Sequence, residues 1–155
     1  MSLPFFHSIT ALALLAAFAV GCQTRRSASS TADVAVRAAL EKQVFEWNRG
    51  NLAGFMETYA RSDDIRFASG DDVSLGWQTV FDRYQKRYGD RAAMGTLTFS
   101  DLEIAVLGPD AALAFGRWQL KRDKDEPSGL FTLLFQRTAE GWRIVHDHTS
   151  SALKE

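Results

Sequence analysis

Two imidazoles, His146 and His148, stand two residues apart near the end of the chain, and imidazole is the side chain whose ordinary titration lies near neutral pH. They fall in Gly141-Trp-Arg-Ile-Val-His-Asp-His-Thr-Ser150, which reads as a β-strand. Strict alternation places Trp142, Ile144, His146 and His148 on one face and Arg143, Val145, Asp147 and Thr149 on the other. An apolar face ending in titratable groups is what a ligand pocket needs, with either histidine as general acid or base. The plainer alternative is that they close a polar layer of the sheet, with Asp147 turned toward Arg143 or a second copy of the sheet. A metal site normally takes three or four ligands, and no third histidine or cysteine lies nearby, so no metal is expected.

Arg117 is the second candidate. It sits in mid-strand on the parity of Leu113 and Phe115, and a guanidinium on a half-buried face calls for an anionic ligand or a structural acid such as Glu41, Glu46 or Glu103. Simple exposure on the outer face is the third possibility. Trp47, Tyr59, Phe67, Trp77, Tyr84, Trp118 and Phe131 are aromatics that could line a cavity, although aromatics at helical or strand spacing are commonly plain core. Tyr59 and Tyr84 stand out among them because a buried hydroxyl needs a partner.

The elements that must position these residues follow from periodicity. Val36, Leu40, Val44 and Trp47 form one stripe of an amphipathic helix that begins near Thr31 and stops at Gly50. Asn51 can cap a shorter helix with Leu52, Phe55, Met56 and Tyr59 inward. Two short extended pieces, 65–69 and 73–76, precede a third helix carrying Trp77, Val80, Phe81, Tyr84 and Tyr88. Four long strands follow, over 96–107, 111–122, 129–138 and 142–151. In the first of these, Leu97 and Phe99 are out of phase with Leu102, Ile104 and Val106, and a bulge near Ser100-Asp101 would restore a common face and bend the sheet. The expected class is α+β, with three N-terminal helices packed on a curved, mainly antiparallel sheet and a hollow between the layers.

The N-terminus is of another kind. Residues 9–20 are an apolar run too short for a comfortable membrane span but suited to an export signal, and Ala19-Val20-Gly21-Cys22 resembles a bacterial lipobox. The expected organisation is a signal peptide over 1–22, a flexible tether over 23–32 and one domain over 33–151. On that reading the lone cysteine, Cys22, carries lipid and holds the protein at the bacterial cell envelope on the periplasmic side. Ordinary cleavage at about the same place and a retained anchor are the alternatives. A formal net charge of −1 with interspersed acids and bases provides no basic stripe for nucleic acid.

Three segments carry a resemblance to a known family: 47–52 with 55–59, 94–104, and 141–150. They are similar to the nuclear transport factor 2-like superfamily, nearest to its SnoaL-like branch of unassigned function. The resemblance implies a cone-shaped fold that elsewhere hosts isomerases, dehydratases, cyclases and non-catalytic association domains. In ketosteroid isomerase-like members a carboxylate base near the first strand, a tyrosine on the first helix and a second acid on the sheet do the chemistry; the positions matching the base and the tyrosine here are Ala68 or Ser69 and Gln43, none of which can do that work. The strand 115–119 resembles one in the association domain of calcium/calmodulin-dependent protein kinase II that points an arginine into the cavity, which would make Arg117 an anion-seeking residue.

The leading expectation is therefore an exported, lipid-anchored domain that binds a small, partly apolar molecule in its cone, with Arg117 favouring an anion, and that pairs into a homodimer through the sheet. A cofactor-free dehydratase, isomerase or cyclase using His146 or His148, with Arg117 or Tyr59 stabilising charge, is the enzymatic alternative. A non-catalytic interaction module is the third. No glycine-rich phosphate loop or nicotinamide fingerprint is present, so no cofactor is expected.

Overall fold

Spacings of four, three and four put Val36, Leu40, Gln43 and Trp47 on one side of the first helix, α1 (residues 31–48), and all four are almost wholly buried. The computed structural model describes residues 31–152, so the signal segment, Cys22 and the tether through residue 30 lie outside the described residues. One position of the stripe departs from expectation: Gln43, not Val44, holds the fully buried place, and Val44 packs at the edge of the core. A buried amide in an apolar stripe signals that the layer it faces is not closed.

Helix α1 ends in a Schellman turn. Gly50, at φ +79°, donates to the Trp47 carbonyl, and Asn51 donates to the Glu46 carbonyl. The Asn51 side chain then caps α2 (Leu52–Met56) by accepting from the Gly54 amide at 3.0 Å. Strands β1 (Arg66–Ser69) and β2 (Asp72–Leu75) form a short hairpin, and α3 (Trp77–Arg87) returns across the sheet. A single turn not read from the sequence, α4 (Arg91–Met94), is capped by Asp90 and leads into the meander. Its strands are β3 (Thr96–Val106), β4 (Ala111–Lys121), β5 (Ser128–Thr138) and β6 (Gly141–Thr149).

The six strands lie in the order β2-β1-β6-β5-β4-β3, antiparallel throughout except where β1 runs parallel to β6. The α+β architecture expected from the sequence is thus present, as an open sheet with helices on one face. Two side chains pin α1 to β3 and to the α4 turn that precedes it. Trp47 donates its indole N–H to the Met94 carbonyl, and Asn48 exchanges two hydrogen bonds with the backbone of Leu97.

Two bulges bend the sheet. The first interrupts β3 between Ser100 and Glu103, with Asp101 at φ +53°, and brings Leu97 and Phe99 onto the same inner face as Leu102 and Ile104. The second interrupts β6, where Phe135 pairs with Ile144 but Leu134 pairs with His146, leaving Val145 as the extra residue. Its cause is visible on the other edge of β6. There Ile144 bonds Thr58 and Ala60 of the segment after α2, whereas β1 takes over from His146 onward. The strand changes partner at Val145, and the extra residue accommodates the change.

Gly116 is a point of close approach within the curved sheet. A β-carbon there would stand 2.7 Å from the Phe131 ring and 2.8 Å from Leu102. Gly116→Ala is expected to destabilise the fold by about 1–3 kcal/mol, since both neighbours must leave a filled position. Thermal unfolding should show a drop of several degrees; an unchanged midpoint would mean that this bend is not close-packed.

Candidate functional site

Between helices and sheet lies a cavity of about 100 Å³. Helix α1 gives it Gln43 and Trp47, the segment after α2 gives Tyr59, and α3 gives Arg83, Tyr84, Arg87 and Tyr88. The sheet supplies mainly apolar surface, including Phe67, Trp118, Phe131 and Leu133, and one acid, Asp147. The deep side is buried, while Arg87 and Ser151 at the other side are exposed, so the hollow has a floor and a mouth.

Asp147 is 5 % exposed and sits at the floor. Its Oδ2 accepts a hydrogen bond of 2.6 Å from the Tyr59 hydroxyl, and its Oδ1 is buried with no partner among the described residues. Tyr84 adds its phenol to the same group, close enough to interact with both Tyr59 and Asp147. Burial pushes the Asp147 carboxyl up to about 7, and the Tyr59 bond offsets only part of that effect. Burial first, and then the neighbouring carboxylate, raise both phenols well above 10, so the tyrosines stay protonated.

This arrangement fixes what Asp147 can do. Because Oδ2 already accepts the Tyr59 hydroxyl proton, Oδ1 is the oxygen left to carry the proton of the neutral acid. Ionised, the same oxygen becomes an acceptor. The group can therefore hold a ligand oxygen or move a proton near neutral pH.

Several sequence expectations are corrected here. His146 and His148 do not share the face of Ile144: the bulge at Val145 reverses the parity, so Ile144 and Asp147 point inward while both imidazoles lie on the outer side. His146 lines an outer groove with Arg66, where burial, Arg66 and then His148 lower its pKa, and His148 is exposed. Asp147 does not pair with Arg143, whose Nη1 bonds the Trp142 carbonyl instead.

Arg117 also lies on the outer face, exposed, with Asp101 at 3.4 Å as its acid; the expected glutamates are not its partners. The inner positions of β4 are the small residues Ala112, Ala114 and Gly116, followed by Trp118 and Leu120. Trp77 is buried outside the cavity lining. Its indole bonds the Met56 carbonyl, its ring stacks on Phe81, and Arg61 lies 4.0 Å from its face.

Trp47, Tyr59, Phe67, Tyr84, Trp118 and Phe131 do line the hollow. Asp147 and Gln43 were not foreseen as site residues. A cue for Asp147 exists in Ile144-Val145, two adjacent apolar β-branched residues that break alternation as the residues around Ser100 do. Among the described residues no group of three or more His, Cys, Asp or Glu stands together as a metal site.

The sequence of the SnoaL-like domain family matches residues 36–154. Among solved structures, the chain is 36% identical to an NTF2-like protein of unknown function from Shewanella oneidensis MR-1, over 76% of this chain and 98% of that one, with a TM-score of 0.73. It is 21% identical to an NTF2-like superfamily protein from Salmonella enterica serovar Typhimurium LT2, over 81% and 94% of the two chains, with a TM-score of 0.65. A ketosteroid isomerase-like protein from Erwinia carotovora is 16% identical over 78% and 96%, at a TM-score of 0.63. The last two share the fold alone. No curated protein matches the chain.

The buried acid has a consequence for stability. In the unfolded chain Asp147 ionises around 3.8, whereas in the fold it keeps its proton until about 7, so folding takes up a proton between those values. Stability therefore falls as pH rises through that window and levels off above it. Asp147→Asn is expected to lack this slope and to exceed the wild type by roughly 4 kcal/mol at pH 8, while differing little below about pH 4. Tyr59 and Tyr84 remain neutral throughout, and the outer-face His146 is common to both proteins and drops out of the difference. Urea unfolding at a series of pH values tests this; parallel curves for the two proteins would contradict it.

Proposed function

The chain belongs to the SnoaL-like family of the nuclear transport factor 2-like fold, and from its cavity we propose that it binds a small, partly apolar molecule with Asp147 as the polar anchor. The observation that carries this reading is the free Oδ1 of Asp147, buried and unpartnered among the described residues inside an otherwise largely apolar lining. An unbonded buried oxygen is costly, and a ligand oxygen meeting it recovers that cost. Trp47 and Trp118 in the lining provide an optical report of occupancy.

Proton-transfer catalysis of the isomerase or dehydratase type is the second reading, and the position of the Asp147 pKa near 7 favours it. Asp147 replaces the histidines as the acid or base. Its ionised form would take a proton from a carbon beside a carbonyl, the electron pair moving onto the carbonyl oxygen, and would return the proton to carbon.

The remaining parts of the reading concern placement. The segment 1–22 would direct export, Cys22 would carry the lipid, and residues 23–30, two short of the expected tether because Thr31 and Ala32 already belong to α1, would tether the domain on the periplasmic side of the envelope. The outer sheet face, with Leu113, Phe115, Leu130 and Leu134 toward solvent, would form the homodimer. Globomycin-sensitive membrane fractionation that is lost in Cys22→Ala supports the anchor, and unaltered fractionation rules it out. Sedimentation of the 31–155 domain as a monomer at high concentration would exclude the dimer.

Acetophenone, a neutral aromatic ketone, is a suitable probe of the cavity. It is expected to quench the tryptophans of the wild type, with affinity about tenfold weaker in Asp147→Ala from loss of one hydrogen bond. Absence of quenching by acetophenone and by comparable ketones and alcohols would remove the binding reading. Deuterium exchange at the methyl group of bound acetophenone, lost in Asp147→Asn, would establish the catalytic one; exchange at the solvent rate would dismiss it.

A further inference from the structure

The charges around the cavity are unevenly placed. The chain as a whole is near neutrality, at −1, yet the charged side chains of the lining are two arginines and the single buried acid. Arg83 and Arg87 are one turn apart on α3, flanking Tyr84 and Tyr88, so the same helix face delivers both guanidiniums to the mouth.

Neither arginine is consumed by the fold. Arg83 has Asp72 at 3.6 Å, but that carboxylate is 72% exposed, and a long exposed pair leaves most of the guanidinium donors for water or a ligand. Its guanidinium lies 5.2 Å from the centre of the Phe67 ring, which is itself part of the lining, and this stacking holds Arg83 over the opening. Arg87 leans on Tyr88 at 5.8 Å and has no carboxylate partner among the described residues. Ser69, Thr149 and Ser151 also line the cavity, the Thr149 hydroxyl donating to the Leu130 carbonyl.

Resting on the binding reading above, we infer that the ligand is an amphipathic organic acid whose carboxylate seats on Arg83 and Arg87 while its apolar body fills the hollow and brings a polar atom at its far end to Asp147; the cinnamyl pair below probes the carboxylate end alone. Planar guanidiniums match a carboxylate through paired N–H donors. The polarity of the hollow sets the direction of entry. A carboxylate driven inward would meet the Asp147 carboxyl and aromatic walls, whereas one left at the mouth meets two cations. This places the anion-seeking role on α3, on the opposite face of the sheet from Arg117.

The test compares trans-cinnamate with cinnamyl alcohol, which keep the same apolar body and differ in charge, by calorimetric titration at low salt. Cinnamate is expected to bind more tightly than the alcohol, and the advantage should shrink as salt is added. The double variant Arg83→Gln, Arg87→Gln should weaken cinnamate by about tenfold or more and leave the alcohol unchanged. Arg117→Gln, on the outer face, should change neither, and circular dichroism confirms that each variant is folded. Equal affinity for acid and alcohol, or cinnamate binding indifferent to the double variant, would overturn the anionic specificity while leaving the cavity reading intact. Failure of both compounds to bind would overturn both.

Discussion

A carboxyl group closed inside an apolar hollow, with one oxygen bonded and the other bare, is the constraint around which this fold is arranged. An ionised acid cannot be left there cheaply, so the surroundings hold Asp147 in its protonated state up to about neutrality. Tyr59 does not cancel the burial; it fixes which oxygen is occupied and so which one is left without a partner among the described residues. Tyr59 is in turn fixed by backbone bonds between its neighbours Thr58 and Ala60 and Ile144 on β6. The acid and the tyrosine that orients it are thus joined twice, through side chains and through main chain.

That double join explains the irregularity of β6. To serve both the segment after α2 and the parallel strand β1, the strand needs one residue more than its partner β5, and Val145 is that residue. The bulge turns Asp147 inward without losing Ile144 from the core. On the far side of the sheet, the bulge in β3 and the bare Cα of Gly116 bend the opposite strands, and Phe131 closes over them. Curvature at both places keeps the helix layer from collapsing onto the sheet, and the cavity is what remains between them.

Most of this architecture was legible because it rests on repeating patterns. The stripe of α1, the stop at Gly50, the cap at Asn51 and the four long strands all follow from periodicity or from a residue with a local geometric role. The β3 bulge was legible for the same reason: Leu97 and Phe99 fall visibly out of phase with Leu102 and Ile104. In β6 the break lies between two apolar neighbours, Ile144 and Val145, so alternation counted from Trp142 runs across it and exchanges Asp147 for the histidines. Arg117 was misplaced by a different cause. Leu113 and Phe115 give the outer face an apolar look, while the inner face of β4 carries alanines and a glycine where close packing leaves no room for more. Side-chain size, in this strand, points away from the core.

The direct measurement of the central claim is isotope-edited infrared spectroscopy of the Asp147 carboxyl, read as the loss of its protonated C=O stretch with rising pH and assigned by its absence in Asp147→Asn. A buried acid backed by Tyr59 at the floor of the hollow predicts a midpoint near 7. A midpoint near the ordinary aspartate value of 3.8 would mean a solvated or ion-paired carboxylate, and would contradict the account of this site.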